Sequence, residues 1–98
     1  MASVSAITVA NKFIDLATAA GDECSNMKLQ KLVYFADGLH LAFGQGPLVR
    51  EPFEAWKYGP VVPDLYHKFK NYFAGPVPAN HAFRNDGEHL SPFAAAFA

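Results

Sequence analysis

The sequence predicts a mainly α domain, α+β at most, with a central buried helix and a short extended segment near residues 48–58. Apolar residues recur at helical spacing in two long segments, 5–20 and 27–43, and a glycine follows each segment. The 98 residues are 51% apolar and 17% charged, which suits one small domain that buries a core. We therefore expect a single domain over residues 1–98.

The first helix is expected over residues 5–20. Ser3 and Ser5 are both candidate N-caps, and Gly21 is a stop signal. The apolar stripe consists of Val9, Ala10, Phe13, Ile14 and Ala17. This stripe predicts an amphipathic helix that packs one side against the core.

The second helix is expected from about Met27 to Phe43, after the capping residues Ser25 and Asn26. It has two adjoining apolar faces, which predict that other elements pack around it. The first face is Leu29, Leu32, Val33, Ala36, Leu39 and Phe43, and the second adds Phe35, Gly38 and Ala42.

Glycine and polar residues within this helix lead to two further expectations. Gly38 costs roughly 1 kcal/mol of helix propensity relative to alanine, so we expect another element to approach it closely. Lys28, Gln30, Lys31 and Asp37 are left for solvent or for specific pairing.

Residues 48–58 alternate in part between apolar and polar, and Pro47 and Gly59-Pro60 bound them. Pro52 cannot donate to a sheet, so this segment is expected to be an edge strand or simply extended. A third helix should begin at Pro63, with Asp64 at the positive end of its dipole. Its apolar face is Leu65, Phe69, Tyr72 and Phe73.

Periodicity is lost after Gly75, and residues 76–90 are predicted to form a loop. Ser91-Pro92 could cap a last helix over 93–98, but fewer than two turns are unstable alone. The domain is therefore expected to be truncated at its C-terminal end.

Composition disfavours several classes of function. The net charge is −1, and the eight Lys and Arg residues are dispersed, which disfavours binding to nucleic acid. Cys24 is the only cysteine and apolar runs are too short for a membrane span, so a cytoplasmic location is expected.

Enzymatic and metal-binding chemistry is not expected, and neither is a cofactor. The four histidines match no metal motif, and a mixed polar loop explains His81, Asp86, Glu88 and His89 better than a metal site. His40 is interpreted as a core histidine bonded to a carbonyl rather than a catalytic base. Cys24 precedes a helix that could lower the pKa of its thiol, but a packed, inert thiol is the favoured interpretation.

Aromatic residues concentrate around Gly59-Pro60, namely Phe53, Trp56, Tyr58, Tyr66, Phe69 and Tyr72. Such side chains are enriched at protein interfaces as well as in cores. Core anchoring is the favoured interpretation of Trp56, with direct partner contact as the alternative. Because so small a body cannot hide every apolar side chain, we also expect a partner to cover part of its surface.

Two stretches in order, residues 27–42 and 52–66, resemble the Panacea family of SocA-like, phage-associated antitoxins. The resemblance covers roughly residues 5–75. It implies a mainly helical domain that neutralises a cognate toxin by direct binding in a type II toxin–antitoxin system. In the SocA-like branch it also implies an adaptor that delivers the toxin to the ClpXP protease.

The family pattern gives candidate residues for partner binding but no catalytic residues. The matching positions are Lys28, Lys31, Tyr34, His40, Trp56 and Tyr58. Family members usually continue through further helices, which agrees with the expected truncation after Ala98.

Two alternative functions remain open from the residues alone. Lys28 and Lys31 lie on a helix after a turn, as in a DNA-binding regulator of its own operon, although no clear recognition helix follows. An enzyme that pairs His40 or His67 with a carboxylate rests only on residue types.

Overall fold

The structure is a computed structural model that describes residues 3–84 and 87–91. The elements are the helices α1 (Ala6–Ala19), α2 (Asn26–Ala42) and α3 (Pro63–Phe69), and the strands β1 (Glu54–Trp56) and β2 (Gly59–Val61). A short 3₁₀ turn, Lys70–Tyr72, continues α3. The predicted fold class, mainly α with a minor β component, is confirmed.

The beginning of α1 is held by two carboxylates from distant parts of the chain. Glu51 accepts from the Ala6 amide at 2.8 Å and from the Ser5 hydroxyl at 2.6 Å. Glu88 accepts from the Ser5 amide at 2.8 Å and from the Thr8 hydroxyl at 2.7 Å. Ser5 is the N-cap residue as predicted, but carboxylates bind the free amides, where the helix dipole also favours negative charge.

α2 begins where the sequence predicts. Ser25 is its N-cap, and the Ser25 hydroxyl accepts from the Lys28 amide at 3.2 Å. Two loops pack near this end: Ser25 forms a bridge to Pro76, and the Val77 amide donates to the Cys24 carbonyl at 2.8 Å. The start of α2 is thereby tied to the segment after α3.

The extended segment differs from the prediction. β1 and β2 form an antiparallel hairpin in which Trp56 pairs with Gly59, so only Lys57 and Tyr58 connect the strands. Gly59 has a φ of 121°, which an L side chain rarely adopts, and this permits the tight return. The prediction of one extended segment ending at Tyr58 therefore missed β2.

Residues 48–50 pair elsewhere, with the N-terminal segment. The Val4 amide donates to the Leu48 carbonyl at 2.8 Å, and the Arg50 amide donates to the Val4 carbonyl at 2.9 Å. This pairing places Glu51 at the start of α1.

α3 begins at Pro63, as predicted, and buries Leu65 and Phe69. Phe73 was expected on the same face, but it is 83% exposed, because the helix ends at Phe69 and the chain turns at a φ of 53°. The predicted helix over 93–98 lies outside the described residues.

The core lies between α1, α2 and α3. Its buried apolar side chains include Val9, Ala10, Ile14, Leu29, Val33, Ala36, Val62, Leu65 and Phe69. Each helix contributes a stripe to it, and α2 contacts α1, β2 and α3. The prediction that other elements pack around both apolar faces of α2 is wrong, because α2 is buried on one side only, and its opposite side forms the candidate site.

Candidate partner-binding surface

The side of α2 that faces the core is partly polar. Buried positions recur at helical spacing: Asn26, Leu29, Gln30, Val33, Ala36, Asp37 and His40. We call these seven residues the inner face of α2. Its polar side chains must find hydrogen bonds within the fold, because a buried polar group without a partner is costly.

Gln30 joins α2 to the segment that enters α3. Its Oε1 accepts from the Val62 amide at 2.9 Å, and its Nε2 donates to Asn26 Oδ1 at 3.0 Å. The Asn26 amide group in turn donates to the Tyr66 carbonyl at 3.0 Å. The specific pairing expected of Gln30 is therefore confirmed.

Asp37 and His40 fix the chain that follows α2. Asp37 Oδ1 accepts from the backbone amides of Leu48 and Val49 at 2.8 and 3.0 Å. His40 Nδ1 lies 2.8 Å from the Gly46 carbonyl, which confirms the core interpretation of this histidine. His40 is also fully buried, which corrects its selection as a partner-binding candidate: its side chain supports the surface from below.

The opposite side of α2 is apolar and exposed. We call it the outer face, and it consists of Lys31, Tyr34, Phe35, Gly38, Leu41 and Ala42. Phe35 is 62% exposed, and Tyr34 and Leu41 are each 49% exposed. The prediction that Phe35, Gly38 and Ala42 extend the buried surface is wrong, and so is the predicted burial of Phe43 at the end of α2.

Gly38 lies at the middle of the outer face. A Cβ atom built on it meets no atom of another element within 4 Å, so the expected close approach is not found among residues 3–84 and 87–91. Tyr34 and Phe35 lie one turn before it, and Leu41 and Ala42 lie one turn after it. The missing side chain leaves a notch between two apolar ridges.

Aromatic residues extend this surface toward the hairpin. Tyr34 meets Phe53 edge to face, with 5.2 Å between ring centroids. Trp56 packs on Tyr66 in the same manner at 4.9 Å, and its Nε1 donates to Glu54 at 3.1 Å. Trp56 is half-buried outside the core cluster, so its interpretation as a core anchor is wrong.

The remaining candidates lie at the surface. Tyr58 is 71% exposed at the hairpin turn, where Lys57 lies 5.4 Å from its ring centroid. Lys28 and Lys31 are exposed near the start of α2. Lys28 lies 4.0 Å from Asp22, whereas no ion pair joins Lys31 to any residue that the structure describes.

The fold shifts the pKa of two titratable groups, Cys24 and Glu88. Burial raises the pKa of the Cys24 thiol, so the alternative of a thiol activated by the helix dipole is wrong. Hydrogen bonds from the Ser5 amide and then the Thr8 hydroxyl lower the pKa of Glu88, and Arg50 adds to this effect. Glu88 is a structural anchor for its loop.

Two features bear on metal or ligand binding: the distribution of His, Cys, Asp and Glu side chains, and a cleft beside Cys24. Residues 3–84 and 87–91 contain no group of three His, Cys, Asp or Glu side chains able to hold a metal ion. His81 instead bonds Asn11 at 2.6 Å and packs edge to face on Phe69. A cleft beside Cys24 and Val77 measures about 180 Å³, below the usual size of ligand pockets.

Comparison with known proteins decides the family. The family model described as "Antitoxin SocA-like, Panacea domain" matches residues 29–93. The chain belongs to this SocA-like Panacea family. It is also 51% identical over 67 residues to the protein named Antitoxin SocA of Caulobacter vibrioides (strain NA1000 / CB15N). No solved structure matches the chain significantly.

The Panacea match covers most of the surface just described. The match, over residues 29–93, contains α2 from Leu29 onward, the hairpin and α3. In the sequence, the resemblance was placed at roughly residues 5–75. The alignment with Antitoxin SocA covers 68% of this chain and 36% of that relative, so the chain spans about a third of the relative's length.

The candidate residues for partner binding differ in how far they are exposed. Lys31, Tyr34 and Tyr58 are exposed, Trp56 is half-buried, and His40 is inside. The sequence-based prediction missed Phe35 as a surface residue because it assigned this side chain to a buried face, and it assigned Leu41 to neither face. No helix of the described residues has the length and apolar content to cross a membrane.

Proposed function

We propose that this chain is an antitoxin that neutralises a cognate toxin by direct protein binding. The observation that carries the proposal is the exposed apolar outer face of α2 in a member of the SocA-like Panacea family. Contiguous exposed apolar surface on a small soluble domain is typical of protein–protein interaction sites. The similarity to a protein named Antitoxin SocA supports the same function.

The test is co-expression with the product of the adjacent reading frame. That product should arrest growth when expressed alone, and this chain should restore growth and co-purify with it. A catalytically silent protein of unrelated fold serves as the expression control. Continued growth arrest, together with failure to co-purify, would contradict the proposal.

The proposal extends to delivery of the bound toxin to the ClpXP protease, as the SocA-like resemblance implies. The toxin's half-life should then shorten when this chain is present, and only in cells with an active ClpX. If the toxin's half-life is unchanged while growth is still restored, the chain inhibits the toxin by binding alone, and the proposed adaptor function is contradicted.

Regulation by DNA binding is the alternative that the same cells can test. Lys28 and Lys31 are exposed, but the whole chain carries a net charge of −1. We expect no shift of a promoter fragment even at low salt, where phosphate contacts are strongest. A salt-sensitive shift that Lys31→Glu abolishes would favour the regulator.

A further inference from the structure

We propose that the outer face of α2 binds an apolar helix of the toxin that carries carboxylates at one end. This inference rests on the proposed antitoxin function and specifies the site and chemistry of the partner. It is carried by three features of the outer face: its ridges, its central notch and its charge.

The ridges and the notch fit a helix. Phe35 lies about one turn before Gly38 and Leu41 about one turn after it, and all three are open to solvent. Ridges of one helix pack into the grooves of another, and a small residue at the crossing point brings the two axes closer. A helix of the partner can therefore insert a side chain at Gly38.

Gly38 has no role within the described fold that explains its presence. It lies inside α2, where glycine is less favourable than alanine by about 1 kcal/mol. A Cβ atom at this position would meet no described neighbour within 4 Å. The open notch is therefore available to a second molecule.

The charge of the outer face indicates the chemistry of the partner that binds there. The outer face has Lys31 at its first turn and contains no acidic residue, while Asp37, on the opposite side, is buried and bonded to backbone amides. A partner that brings carboxylates to Lys31 gains an ion pair that this chain does not supply among its described residues.

A second copy of this chain fits less well. Its outer face would bring another lysine and no carboxylate to the contact. Tyr34, Phe35 and Leu41 together expose roughly 300 Å² of side chain, whereas stable interfaces bury about 800 Å² per partner. Because Tyr34 contacts Phe53, the surface extends from α2 toward the hairpin, and a larger partner can contact both.

The experiment measures binding of the full chain to the purified product of the adjacent reading frame. Gly38→Gln fills the notch with a residue that favours helix, so a loss of binding cannot arise from unfolding. We expect at least tenfold weaker binding and an unchanged or higher melting temperature. Ala19→Gln, at an exposed position of α1, is the matched control and should bind as the parent does.

Charge reversal tests the carboxylates. Lys31→Glu should weaken binding about tenfold at low salt and less at high salt, because screening reduces the interaction between exposed charges. Lys70→Glu makes the same change at an exposed position after α3 and should have little effect. Equal effects of the two charge reversals would show that binding depends only on net charge. That result would overturn the placement of the toxin's carboxylates at Lys31.

The remaining outcomes separate this inference from the proposed function. Normal binding by Gly38→Gln and by Phe35→Ser would place the toxin elsewhere and overturn the site, while the antitoxin function stands. No binding by the parent chain, with no rescue of growth, would overturn both. A dimer of the parent by light scattering that Gly38→Gln dissociates would make a second copy the occupant and overturn the toxin helix.

Discussion

The two long helices differ in what they bury. Four of the seven buried residues of α2 are polar, among them Gln30, Asp37 and His40, while Tyr34 and Phe35 are exposed on its outer face. By contrast, five of the seven buried residues of α1 are apolar. The difference indicates that hydrogen bonds, besides apolar burial, help to determine which side of α2 faces inward.

The inner face is partly polar because side chains of α2 accept hydrogen bonds from backbone amides that no strand pairs. The amides of Leu48, Val49 and Val62 all donate to side chains of α2. Irregular segments cannot satisfy buried amides by themselves, so a central helix with polar side chains performs this task. Leu29, Val33 and Ala36 still enter the core, whereas the apolar side chains on the other side of α2, such as Phe35 and Leu41, lie at the surface.

Of the substitutions in α2, Asp37→Ala should have the largest effect on stability. It removes the acceptor of two amides and leaves both in a buried position, which we expect to cost about 3 kcal/mol of unfolding free energy. Urea denaturation followed by circular dichroism measures the loss. Asp37→Asn keeps an acceptor oxygen and should lose less; equal losses for the two variants would show that the carboxylate charge matters and not the acceptor.

Gln30→Ala should cost somewhat less, about 2 kcal/mol. It leaves the Val62 amide unsatisfied and opens a small cavity where the Gln30 side chain was fully buried. The neighbouring Lys31→Ala, on the outer face, is the control and should change stability by less than about 0.5 kcal/mol. Comparable losses in the two variants would contradict the division of α2 into two faces.

Gly38→Ala should raise stability by about 1 kcal/mol. Alanine favours a helix more than glycine does, and the open surface accommodates its methyl group. Gly21→Ala is the matched control: its φ of 73° disfavours any side chain, so that variant should be less stable than the parent. A destabilised Gly38→Ala would reveal a contact on the outer face within the fold.

The sequence predicted the helices well because caps, proline and apolar spacing are local signals. Ser25 and Pro63 marked the starts of α2 and α3 correctly. The orientation of α2 was harder to predict, since Phe35 and Phe43 look like core residues by hydrophobicity alone. Gln30 and Asp37 lie on the same side of the helix as the apolar residues Leu29 and Val33. This placement of polar residues on the core side was the available signal for a polar inner face.

The hairpin lacks a clear strand signal in its second strand, and the anchors of α1 depend on long-range contacts that no local pattern encodes. β2 is only three residues long and contains Pro60, which by itself argues against a strand. Glu51 and Glu88 reach α1 across 45 and 83 positions of the chain, respectively. Their roles follow from the pairing of Val4 with residues 48–50, which was not predicted.

Phe35→Ser should have the smallest effect on stability, and it tests most directly whether the outer face contributes to folding. Because Phe35 is already 62% exposed, the variant loses little burial, and we expect a change within about 0.5 kcal/mol. Phe69→Ser, a fully buried aromatic of α3, is the control and should destabilise the fold severely. If Phe35→Ser also destabilised the chain by several kcal/mol, the outer face would be part of the fold. A near-neutral result would mean that the contacts among the described residues do not account for this phenylalanine, as partner binding at the outer face requires.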